Sequence, residues 1–259
     1  MINLVMSDIK RLRWIWLIFT VAILFNLYSG ISSYRPSLQS SQAWVKMHEI
    51  KGDIDILRIQ GTKMLWEYPF YLKVVVLPNV ILFLSLQTLV ISSGLIARES
   101  ERGALQLLLA FPINRRKLLV SKYLAGLLSL LASIIMIYFV IYLLTLRIGV
   151  AFSISNLFLL AGLQFLQFLV IHGYTFLLSV WFSKQIVALG ASGILSLALF
   201  LNPLVRKGII GDLRTGYLNT NLILSNGTVP WGMVLLMVVS LLVLFVLSLF
   251  IFEWREMSN

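Results

Sequence analysis

Cysteine is absent from all 259 residues, which excludes disulfides and thiolate metal sites and leaves the redox compartment undetermined. Charge is scarce too: Asp, Glu, Lys and Arg together make up 12% of the chain, against 59% apolar residues. His48 and His172 are the only histidines, too few and too far apart in sequence to argue for a metal site. There is no G-x-x-x-x-G-K-[ST] phosphate loop, no H-E-x-x-H pair and no pair of acids inside an apolar run. The chain therefore carries no recognisable catalytic constellation. If ATP drives it, another chain must bind the nucleotide.

What the sequence has in abundance is apolar length. A mean hydropathy of +0.94 is the value of a polytopic helical membrane protein, not of a soluble core. The net charge of +11 would fit nucleic acid only if it were concentrated on one face of a soluble domain. Here the basic residues flank the apolar runs, so lipid headgroups are the expected counter-charge and nucleic acid is not an expected partner.

Six segments are long and apolar enough to cross a hydrocarbon core of about 30 Å. They fall at residues 14–34, 72–96, 123–146, 156–182, 186–205 and 231–252. The expected fold class is thus an all-α membrane protein with six transmembrane helices. Only Ser183, Lys184 and Gln185 separate the fourth from the fifth, so those two form a tight hairpin. An even count places both termini on one side. Lys10, Arg11, Arg13, Lys184, Arg255 and the dense basic loop between the second and third spans make that side cytoplasmic, because short Lys- and Arg-rich segments stay inside. The expected location is a bacterial cell membrane.

Residues 1–13 repeat Ile2, Val5, Met6, Ile9 and Leu12 at helical spacing, with Asp8, Lys10 and Arg11 facing away. They are expected to lie along the inner surface as an amphipathic helix, or else to extend the first span; residues 14–259 form the six-span domain. The run from 14 to 31 is longer than a signal-peptide core and lacks a small-x-small cleavage site, which makes it a retained anchor. Between the first two spans, Trp44, Met47, Ile50, Ile54 and Leu57 recur at three- and four-residue steps. They read either as an amphipathic element on the outer leaflet or as a loop over the helix ends.

Charge is missing from the centre of every expected span, where ion-coupled carriers usually keep a carboxylate, Lys or His relay. His172 is the only titratable exception of that kind. It shares a helical face with Gln164, Gln167, Thr175 and Ser179, a stripe that either bonds helix to helix or lines a pathway. In the fifth span Ala188, Ser192 and Ser196 recur every four residues beside Gly190 and Gly193, which is the pattern of close helix packing.

The loop from Ala97 to Lys122 is the most specific feature. Arg98, Arg102, Arg115, Arg116, Lys117 and Lys122 give it six basic residues, and Glu99 and Glu101 stand together at its front. Acids followed by Leu105, Leu108 and Leu109 on one helical face predict a short helix, stopped by Pro112. Asn114 can cap the next helix, yet Arg115, Arg116 and Lys117 crowd a first turn where the macrodipole disfavours cations. Lipid phosphate or a docking protein would favour them there.

The string Glu101-x-Gly103-x-Leu105-x-x-Leu108-x-x-x-Pro112-x-x-Arg115, between the second and third spans, resembles the first cytoplasmic loop of the type-2 ABC exporter permeases. Gln106 departs from it, standing where many members carry an acid. The resemblance implies a short cytoplasmic coupling helix that fits a groove of a separate ATPase subunit. Glu99, Glu101, Gly103, Leu105, Leu108, Leu109, Pro112 and Arg115 would form that contact. It also implies a second permease subunit, in a homo- or heterodimer, and ATP and Mg bound by the partner ATPase, with no cofactor in this chain. Such permeases export lipids, lipid-linked glycans, drugs or peptides. Without a soluble glycan-binding domain, a hydrophobic or amphipathic substrate such as a toxic peptide is the expectation. The alternatives are an ion-coupled secondary transporter and a non-transporting membrane scaffold or enzyme.

Overall fold

The computed structural model of the protein describes residues 2–51, 67–105, 114–149, 153–201, 227, 229 and 231–257. Among these residues all regular structure is helical and there is no strand. Helix α1 (Ile2–Ser32) is followed after one residue by α2 (Tyr34–Lys51). A short α3 (Tyr68–Tyr71) runs through a π turn at Leu72–Val76 into α4 (Leu77–Gly94), and α5 (Ala97–Glu101) follows at once. Then come α6 (Arg115–Ile148), α7 (Ile154–Trp181), α8 (Gln185–Leu201) and α9 (Trp231–Met257).

Among the described residues, five helical stretches are long and apolar enough to cross a membrane: Leu12–Ala43, Val74–Gly94, Arg115–Ile148, Ile154–Trp181 and Val234–Trp254. The fifth expected span appears as α8, whose 17 described residues reach about 25 Å at 1.5 Å per residue. Side-chain bonds show that the legs alternate in direction. Lys122 near the start of α6 meets Asp8 near the start of α1, and Arg116 meets Glu253 near the end of α9. At the opposite end Tyr68 bonds Thr145, near the end of α6. The first and last helices therefore have their terminal ends at the same, basic end of the bundle.

Local chemistry explains several boundaries. Asn114 does cap α6: its side chain accepts a hydrogen bond from the Arg116 N–H at 3.0 Å, as its place before the basic trio predicts. Gly149 ends that helix in the left-handed conformation, φ 72°, and Arg35 donates to the last carbonyl, that of Ile148. Ser153 caps α7 by accepting from Asn156 N–H. The turn after α7 consists of Phe182, Ser183 and Lys184, so α7 and α8 form a tight hairpin.

Residues 2–13 and the first apolar run form one unbroken helix, since α1 continues from Ile2 to Ser32. Of the amphipathic pattern between the first two expected spans, Trp44, Met47 and Ile50 fall on α2; Ile54 and Leu57 lie outside the described residues. At that end Tyr34 packs edge-on against Tyr68 and Tyr71, and the Tyr71 hydroxyl donates to the Gly30 carbonyl at 2.7 Å.

Helix α7 is the centre of the bundle and packs against α4, α6, α8 and α9, while α1 lies along α4 and α6. The larger apolar core joins Ile23, Leu27 and Ile31 of α1 to Val80 and Leu84 of α4, Ile137 of α6 and Phe168 of α7. A second cluster, holding Leu12, Leu95, Leu105, Leu119, Phe176 and Phe252, fills the basic end beneath α5. The outward faces of α8 and α9 remain apolar and exposed, with Ile186, Ile194, Leu242 and Phe250 among them, as expected of surfaces that meet lipid or protein.

Candidate functional site

Helix α5 has only five residues, too few to be stable alone, so tertiary contacts must hold it. Ile96 and Ala97 anchor its start and are fully buried. Glu99 turns inward and is 3% exposed. Its Oε1 lies 2.5 Å from Nζ of Lys122, which also bonds Oδ1 of Asp8 at 2.7 Å. Lys122 and Asp8 are 2% and 4% exposed. Three ionisable side chains, from α1, α5 and α6, thus meet inside the protein. Removing one partner of such a buried cluster typically costs about 3–5 kcal/mol, because a charge is left without its counter-charge.

The other two charged residues of α5 reach sideways to α8. Arg98 Nε donates to Oε1 of Gln185 at 3.0 Å, and the Gln185 backbone N–H donates to Oε2 of Glu101 at 3.1 Å. Gln185 is the first residue of α8, so the Glu101 carboxylate sits at a helix N-terminus, where the macrodipole favours negative charge. Gly94 permits this approach: a Cβ there would meet Nε2 of Gln185 at 3.0 Å.

The residues singled out by the loop motif therefore divide. Glu99 and Leu105 are buried, the first in the ion cluster and the second in the apolar cluster at the basic end. Glu101 is exposed but has a partner within the chain. Gly103 holds a left-handed φ of 71°, which favours glycine, with open space where a side chain would stand. Arg115 is exposed in the first turn of α6. Leu108, Leu109 and Pro112 lie outside the described residues, as does the helix expected around them. Glu99 thus faces into the bundle. Burial beside Lys122 is the physical reason.

In the polar stripe of α7, His172 is 1% exposed and tied on both sides. Its Nε2 lies 3.2 Å from the Tyr123 carbonyl of α6, and its Nδ1 lies 2.6 Å from Ser92 Oγ of α4. A carbonyl can only accept, so Nε2 carries a proton, and in the neutral ring Nδ1 accepts from the Ser92 hydroxyl. The ring also packs on Tyr123 at 4.7 Å between centroids. Gln164, Thr175 and Ser179 are buried on the same helix. Their Oε1, Oγ1 and Oγ atoms have no hydrogen bond among the described residues. Gln167 is half-buried. Gln87, Thr88, Ile91, Ser92, Gly126, Leu130 and His172 line a small pocket among α4, α6 and α7, where Gln87 Nε2 donates to Ser133.

In α8, Ala188 and Ser192 are fully buried, and Ser196 accepts from the Tyr174 hydroxyl of α7 while donating to the Ser192 carbonyl. Nothing lies within 4 Å of a Cβ built on Gly190 or Gly193, so these two glycines face outward. No group of three or more His, Cys, Asp or Glu residues able to hold a metal occurs among the described residues.

Sequence reasoning missed Asp8, Lys122 and Gln185. Lys122 carried a signal: it lies two turns inside the helix that Asn114 begins, too deep to belong to the loop. The partnership with Asp8 spans 114 residues and leaves no local mark.

Compared with known families, residues 6–257 match the family described as ABC-2 family transporter protein. No curated protein matches the chain.

Proposed function

We propose, for a chain that belongs to the ABC-2 transporter family, that it is the membrane permease subunit of an ATP-driven exporter. The observation that carries this reading is the family match over residues 6–257, nearly the whole chain, so the membrane helices and the 97–122 loop belong to one permease unit. In this reading the chain crosses the membrane six times, with α8 as the fifth span, and both termini and the basic end are cytoplasmic. A separate ATPase subunit, binding ATP and Mg, docks on the loop that follows α5. Leu108 and Leu109 supply the apolar face of the coupling helix, Pro112 ends it, and Gly103 and Arg115 flank it.

Two permease subunits and two ATPase subunits make the working complex in a bacterial cell membrane. Closure of the ATPase pair displaces the loop, and the helices carry that motion to the translocation path. The exported molecule is hydrophobic or amphipathic, such as a peptide, and leaves from the cytoplasm or the inner leaflet. The lack of charge at the span centres supports this class of cargo over an ion-coupled one.

The test is association. An ABC ATPase encoded beside this gene is co-expressed with the tagged permease and purified through the tag. ATP hydrolysis by the pair and its loss in Leu108→Asp, with the permease still folded in the membrane, is the expected result. Failure of every neighbouring ATPase to co-purify, together with proton-driven transport by the purified chain alone, would replace this reading by a secondary carrier.

A further inference from the structure

The buried cluster of Asp8, Glu99 and Lys122 is expensive by itself. Apolar side chains of similar volume often stabilise such sites equally well or better, so a buried ion cluster is weak evidence for a purely stabilising role. What ion pairs add is direction. Nζ of Lys122 at 2.7 Å from one carboxylate and 2.5 Å from the other fixes α5 in height and rotation against α1 and α6, whereas an apolar contact would let them slide.

The position of the cluster gives this direction a use. Glu99 lies in the middle of a five-residue helix whose far end opens into the loop at Arg102 and Gly103. Through the backbone alone, a displacement there would pass to α4 on one side and to α6 on the other, but not to α1. Asp8, through Lys122, adds the route to α1.

We propose that Asp8, Glu99 and Lys122 are positioning residues that join the Arg102–Gly103 turn after α5 to α1 and α6 as one rigid unit. A push on the loop then moves α1 and α6 together with α5. The clamp of Glu101 on Gln185 is exposed and made of single hydrogen bonds, so α8 follows less tightly. The permease reading supplies only the origin of the push; the joint itself is a property of this chain.

The absence of native cysteine makes the test direct. Nitroxide labels on Lys10→Cys and Arg102→Cys, both exposed sites, report the distance between α1 and the root of the loop in lipid vesicles. A control pair on Leu82→Cys and Ile135→Cys, also exposed, reports the arrangement of α4 and α6. Glu99→Ala is the first variant, because it cuts the link from α5 to Lys122 but leaves Lys122 paired with Asp8. The expected result is loss of the narrow 10–102 distribution seen in the parent, with the control pair unchanged.

A 10–102 distribution as narrow in Glu99→Ala as in the parent overturns the proposal. Loss of the control distribution as well would overturn it too, since Glu99 would then hold the whole bundle and not the loop root. Lys122→Met, which strands both carboxylates, should lose the narrow 10–102 distance at least as completely. A narrow one in that variant likewise overturns the joint. No ATPase is present in these measurements, so a failure here leaves the permease reading standing.

Discussion

Gly126 of α6 and His172 of α7 approach so closely that no side chain fits between them: a Cβ on residue 126 would collide with Cε1 of the imidazole. The ring cannot step aside cheaply, because Ser92 holds one nitrogen and the Tyr123 carbonyl the other. Leu95 closes the remaining direction, with Cδ1 2.9 Å from the same Cβ position.

Gly126→Ala should therefore destabilise the protein by about 1–3 kcal/mol, the usual range for overpacking. The effect should shrink in a His172→Ala background, where the ring is gone and the added methyl has room. Thermal unfolding of the two single variants and the double variant in detergent measures this coupling. Simple additivity would mean that the two helices do not meet through this ring.

The same geometry separates His172 from its neighbours on the stripe. His172→Leu removes bonds to two helices and should lower stability by about 0.6–2 kcal/mol per bond. Gln164→Leu should cost less, because Gln164 Oε1 has no hydrogen bond among the described residues. Equal losses in the two variants would contradict this assignment. So would a shift in cargo preference at unchanged stability in His172→Leu, which would return the imidazole to a pathway role.

These contacts mark where sequence reasoning stops. The apolar runs, the Asn114 cap and the three-residue hairpin turn depend on neighbours in the chain, and each is legible there. Periodicity also put His172, Thr175 and Ser179 on one face of α7, but it could not say that Ser92 and Tyr123 stand opposite. Glu99 shows the limit most clearly. A carboxylate beside Glu101 in a basic loop looks solvated until Lys122 and Asp8, 23 and 114 residues apart in their pairing, are brought to it. Ion pairs between distant helices follow from packing, and packing leaves no period in a single sequence.

Membrane topology gives a prediction that depends only on sidedness. Lys184 in the hairpin turn and Gln39 on α2 are both exposed and lie towards opposite ends of the bundle. With both termini cytoplasmic, Gln39→Cys should react with a membrane-impermeant thiol reagent in intact cells, and Lys184→Cys only after lysis. The reverse pattern would invert the orientation and place the basic loop outside, beyond the reach of a cytoplasmic ATPase.

Glu101 is where two roles compete, and the hydrogen bond from Gln185 lets them be separated. As a docking residue, Glu101 would act through a partner protein. As seen here, it accepts from the first N–H of α8, at 3.1 Å, and complements that helix's dipole. An acid at such an exposed helix start contributes about 0.3–1 kcal/mol. Gln185→Pro removes the donor while leaving Glu101 untouched, and proline is well tolerated in the first helical position. Gln185→Ala keeps the N–H but deletes the side chain that Arg98 holds. Amide exchange over the first turn of α8 should accelerate in Glu101→Ala. It should not accelerate further when Glu101→Ala is added to Gln185→Pro, because both changes remove the same bond. Unchanged exchange in Glu101→Ala would leave the clamp without effect on α8. Loss of ATPase association in Glu101→Ala but not in Gln185→Pro would then assign the carboxylate to docking, whereas equal loss in both would show that the partner senses Glu101 only through the position of α8.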